Sequence, residues 1–156
     1  MILSLLPILL SAAPIVLIDS VTNDNKAPPE IAAALEPMLC STFEKAFKAI
    51  KVDVKCRADV QAILRLRALQ NAVGTPNRCA EGSEKCAARM AKLVRCTHVL
   101  VATLDPAGDA LKLNLNLVDL MGKSSATSSV TVKDLKGMVR FMEKVAPSIT
   151  ASLSSP

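Results

Sequence analysis

Between residues 111 and 117 the chain alternates without a break: Leu111, Leu113, Leu115 and Leu117 are separated by Lys112, Asn114 and Asn116. A period of two belongs to a strand, not to a helix, and puts the four leucines on one face and the polar residues on the other. A strand with one dry and one wet face belongs in an antiparallel sheet with a single apolar side. The chain must therefore supply strand partners and an apolar layer to cover the leucines. Partners are at hand on both sides. Thr97–Leu104 (THVLVATL) reads as a strand, joined to the leucine strand by an expected turn at Asp105–Asp109. Ser124–Val132 follows a second turn at Met121–Lys123, and its Ser/Thr content predicts an edge strand.

The covering layer comes from segments with helical spacing. After a buried first strand at Pro14–Ser20 (PIVLIDS) and a loop from Val21 to Pro29, Ile31, Leu35, Met38, Leu39 and Phe43 predict a helix to about Lys48. Pro37 predicts a kink or a late start. Ile50–Lys55 suits a strand. A second helix is expected from Arg57 or Asp59 to Gly74, and a third after an N-cap at Ser83. The last runs from Lys133 to Ser152 with Leu135, Met138, Val139, Met142, Val145 and Ile149 on one side. The chain has three Phe, no Tyr and no Trp, so its core is aliphatic. The expected fold class is α/β (α+β): a mixed sheet of about five strands with an antiparallel meander, packed by about four helices, in the order β-α-β-α-α-β-β-β-α. With 156 residues, no repeat and no linker, one domain is expected over residues 14–153.

Residues 1–18 carry no charge, and Ile2–Leu10 followed by Ser11-Ala12-Ala13 fits a signal peptide over residues 1–13. An uncleaved anchor and a cytosolic apolar strand are the rival readings, although Pro7 and Pro14 suit a membrane helix badly. No cysteine closely follows the apolar run, which argues against a lipid-modified amino terminus. Five cysteines fit export better than a reducing cytosol. Cys79 and Cys86 are spaced for a local disulfide and Cys40 and Cys56 for a second, leaving Cys96 odd; other pairings stay open. The net charge of +5 is uneven, with nine basic and three acidic residues between Lys55 and Arg95. In the expected third helix Lys85, Arg89 and Lys92 fall opposite the apolar stripe, forming either a basic docking surface or a solvated helix face.

Chemistry is sparse. His98 is the only imidazole and has no recognisable acid or nucleophile at a useful spacing, so it reads as structural. Asp19 ends the first strand, where ligands often meet α/β sheets, yet a turn-capping role is commoner. No phosphate loop, nucleophile elbow or CxxC pair is present, so no catalytic residue, metal site or cofactor is assigned. Without Tyr or Trp to stack on bases, specific nucleic-acid binding is not expected.

Taken in order, PIVLIDSVTND, IAAALEPMLCSTFEKA, ADVQAILRLRALQ and CAEGSEKCAARMAKLVRCTHVLVATL with LKLNLNLVDLMGKSSA give the chain a resemblance to a small α/β domain. It resembles the domain shared by the amino-terminal part of the translocation protein TolB and the curli secretion lipoprotein CsgG. Where that family often has Gly-Ala-Asp before the strand of the meander, this chain has Arg95-Cys96-Thr97. The resemblance implies a periplasmic or secreted, non-catalytic interaction module of the cell envelope. Its expected partners are an envelope protein or cell-wall component, with membrane-surface association and homo-oligomerisation as further options. The alternatives are a subunit of an outer-membrane secretion or assembly complex, and an enzyme whose site the sequence does not reveal.

Overall fold

The computed structural model describes residues 14–23, 27–57, 59, 95–120 and 123–154. They form a mixed α/β fold with one five-stranded sheet in the order β2-β1-β3-β4-β5. Its strands are β1 (Ile15–Thr22), β2 (Asp53–Cys56), β3 (His98–Ala107), β4 (Ala110–Asp119) and β5 (Ser124–Val132). β1 pairs in parallel with both β2 and β3, whereas β3, β4 and β5 form the antiparallel meander. Two helices, α1 (Pro29–Ala49) and α2 (Leu135–Ser154), are present among the described residues. The helices expected at 57–74 and after Ser83 lie outside them, apart from helical backbone at Arg57 and Asp59.

The leucine strand behaves as its period dictates. Leu111, Leu113, Leu115 and Leu117 are buried beside Val16, Ile18, Leu100, Ala102 and Leu104. α1 covers this face with Leu35, Leu39, Phe43 and Phe47, spaced by four residues, and α2 with Met138, Met142, Ala146 and Ile149. The rings of Phe43 and Phe47 are tilted at 38° with centroids 6.2 Å apart. Leu17, Cys96, Val99, Val101 and Val118 make a second buried cluster.

Several expectations need correction. β1 runs on to Thr22, through a register shift between Ile18 and Val21 that adds one residue against β3. β2 starts at Asp53, because α1 closes with a turn: the Val52 amide donates to the Phe47 carbonyl at 2.9 Å and the Lys51 amide to that of Lys48 at 3.0 Å. The expected turn at Asp105–Asp109 shrinks to Gly108-Asp109, with Ala107 paired to Ala110. Gly108 has φ +63 and Asp109 a negative φ, as a type II′ hairpin requires. Pro106 is tolerated in β3 because β1 pairs only as far as Thr103, so beyond it β4 is the strand's sole partner among the described residues. Finally, α1 continues through Pro37. Pro37 and Ala33, whose carbonyl loses its helical donor, are both exposed, on the side of the helix that solvent can reach.

α2 begins later than expected. Asp134 caps it, its Oδ1 accepting the Gly137 amide at 2.8 Å, so the helix proper starts at Leu135.

Candidate functional site

The outer strand of the meander is the first candidate. β5 pairs with β4 from Leu111↔Val132 to Val118↔Ser124. Among the described residues no strand lies on its other side. Ala126, Ser128, Val130 and Val132 stand over the leucine face, while Ser125, Thr127, Ser129 and Thr131 alternate outwards and are exposed. No Asp, Glu, Lys, Arg or Pro occurs in these nine residues. Edge strands are usually protected by such residues, because their free amides and carbonyls otherwise offer a template for another strand.

The wet face beside this edge is ordered by side-chain hydrogen bonds. The Asn116 Oδ1 accepts from Ser124 Oγ at 2.7 Å and from Thr127 Oγ1 at 3.1 Å. Asn114 Nδ2 donates to Asp105 Oδ2 at 3.5 Å. The alternation that buries one set of β4 side chains thus builds an amide and hydroxyl surface from the other.

A second candidate lies at the carboxyl ends of β1 and β2. β1 has β2 on one side and β3 on the other, so this is where an open α/β sheet forms a crevice. Asp19 is buried there, within β1 and not at its end, and the Arg57 guanidinium donates to its Oδ1 at 2.6 Å. Side chains 38 residues apart are brought together by the parallel pairing of Ile18 with Cys56. Each charge neutralises the other, which fits a clamp between strands better than a ligand site.

His98 opens β3. Its Nδ1 lies 2.9 Å from the Thr97 hydroxyl, and Asp119 is its partner across β4. The Thr97 hydroxyl also accepts the Ile15 amide at 3.0 Å and lies 3.2 Å from the Ile15 carbonyl, so it ties β3 to β1. Asp119 Oδ1 accepts the Lys123 amide at 2.9 Å and closes the β4–β5 turn. Both neighbours of the imidazole therefore hold backbone. Burial lowers the His98 pKa from 6.5, an effect partly opposed by Asp119. Burial likewise raises the thiol of Cys96, the free cysteine of the second cluster, against a smaller opposing effect from Lys55.

Cys40 and Cys56 are joined by a disulfide that ties the middle of α1 to the end of β2. Glu44 lies close enough to make these three the one group among the described residues with metal-ligand proximity. As a disulfide the sulfurs offer no thiolates, and Glu44 already accepts from Lys48 at 2.9 Å. Cys79 and Cys86, and the basic residues Lys85, Arg89 and Lys92, lie outside the described residues. Between α1 and α2 runs an open groove of about 380 Å³, with Lys45 on one wall and Glu143 and Pro147 on the other. No described helix is long and apolar enough to cross a membrane.

This strand order, with a parallel β2-β1-β3 half and an antiparallel meander, is the TolB-like envelope-protein fold. No family model matches the sequence, and no curated protein is significantly similar to it. The likeness is in structure. The C-terminal domain of LpoB from Escherichia coli matches over 78% of this chain and 84% of its own, with 18% identity and a TM-score of 0.51. The lipoprotein GNA1162 from Neisseria meningitidis matches over 86% and 98%, with 16% identity and a TM-score of 0.50. TolB from Acinetobacter baumannii matches over 89% of this chain and 28% of its own, with 12% identity and a TM-score of 0.50.

Proposed function

We propose that this chain is a non-catalytic, exported module of the cell envelope that acts by binding protein through the β5 side of its sheet. The observation that carries the reading is the nine-residue uncharged edge, Ser124–Val132, beside the ordered Asn114–Asn116 face. An edge of that kind binds by extending the sheet: backbone bonds give affinity, and alternate side chains give selectivity. Export is supported by the Cys40–Cys56 disulfide, by the signal-like residues 1–13 and by a fold shared with a lipoprotein and with TolB. Non-catalysis is supported by the occupations of the polar groups described above. Asp19 is held by Arg57, and the Thr97 and Asp119 side chains hold backbone.

Site-specific photocrosslinking in cells tests this. A crosslinker replacing exposed Thr127 or Ser129 is expected to yield protein adducts, whereas one replacing exposed Lys48 on α1 is not. Equal labelling from both surfaces, or none from β5, refutes the reading.

A further inference from the structure

Three features meet along one side of the molecule. The first is the edge itself, which carries no charge in a chain whose net charge is +5. The second is its pattern. A twofold axis through Ser128 pairs each residue with one an even number of positions away, so inward faces inward and outward faces outward. Ala126 meets Val130 of the second copy on the leucine side, and Thr127 meets Ser129 on the wet side. Even steps also match backbone groups that point out of the sheet with groups that point out of the sheet, so the ladder closes in this register.

The third feature is the flank of α2 above β5. Glu143 and Pro147 face the groove with α1. Helical spacing sends Gly137, Phe141, Val145, Ser148 and Ser152 along the opposite flank, at steps of four, four, three and four. Gly137 marks this as the β5 side, since a β-carbon there would lie 3.1 Å from Val132. These five residues are uncharged, with exposed Lys144 bordering them on the solvent side, and Phe141 and Val145 are only half-buried. The flank's hydroxyls already have partners within the helix: Ser148 Oγ donates to the Val145 carbonyl at 2.9 Å and Ser152 Oγ to that of Ile149 at 2.6 Å. Covering these two hydroxyls would therefore strand neither donor.

We infer that the strand received by β5 is β5 of a second copy of this chain. Two molecules form a symmetric dimer with one continuous ten-stranded sheet, and the α2 flanks meet beside the seam. The inference rests on the reading of β5 as the docking edge and names its occupant. It leaves the amide and hydroxyl faces of both copies side by side as a single surface.

The test is the mass of the purified full chain by light scattering or sedimentation at tens of micromolar. The wild type is expected at twice the chain mass. The double variant Thr127→Lys with Ser129→Lys, both at exposed positions, sets lysine opposite lysine twice across the seam and is expected at the monomer mass. Thr127→Glu with Ser129→Lys sets glutamate opposite lysine in the same register and is expected to restore the dimer. A wild-type monomer, or a dimer that the two lysines leave intact, overturns the inference. A monomer that still crosslinks to other proteins through Thr127 or Ser129 overturns the dimer while leaving the interaction module standing. Loss of both signals removes the module reading as well.

Discussion

Lys51 has φ +60, in the left-handed region that closes the turn after α1. Its position is imposed by the two hydrogen bonds back to Phe47 and Lys48 and by the burial of Val52 against the core. A side chain there costs about 1–2 kcal/mol. Replacing it with glycine removes that cost but adds about 0.4–1 kcal/mol of unfolded-chain entropy. Lys51→Gly is therefore expected to stabilise the fold by about 0.5–1 kcal/mol, seen as a higher urea midpoint at unchanged slope. A lower midpoint would show that the turn does not carry this strain. Arg95 has the same conformation, φ +61, at the junction where the resembling family often has glycine.

Between elements, the Cys40–Cys56 bridge does what packing does elsewhere. β2 is four residues long and, among the described residues, lies at the edge of the sheet with β1 as its single strand partner. A bridge across 16 residues is expected to contribute about 3 kcal/mol by restricting the unfolded chain. Replacing both cysteines with alanine should lower the unfolding free energy by about that amount, and reductant should have little further effect on the variant. An unchanged midpoint would mean that β2 is held by its ladder and by the Asp19–Arg57 pair alone. These elements differ in how far the sequence betrays them. β4 and β5 are legible because each residue's side is set by a period of two and by the hairpin joining them. β3 is harder: Pro106 and Gly108 look alike as turn signals, and only the shorter reach of β1 shows that Pro106 stays in the strand. The proline in α1 misleads for the same reason, since its cost depends on whether water reaches the Ala33 carbonyl. At the candidate site, the uncharged edge is written in the sequence. The Asp19–Arg57 pair is not, because it depends on a parallel register and on a bulge that no local pattern announces.

At the scale of the whole molecule, charge and seam act in opposite directions. Each copy carries +5, and the strand at the seam carries none. Two such bodies with centres roughly 35 Å apart repel by about 3 kcal/mol in water without salt. The Debye length of about 30 Å at 0.01 M leaves on the order of 1 kcal/mol of this, and the length of about 8 Å at 0.15 M leaves almost none. Backbone bonds and apolar flank contacts at the seam hardly respond to salt over that range. Dimerisation is therefore expected to tighten about five- to tenfold as salt rises from 0.01 to 0.15 M. An interface built on ion pairs would weaken instead. Sedimentation across that range separates the two, and a dissociation constant that rises with salt would place the contact on a charged surface of the chain and away from β5.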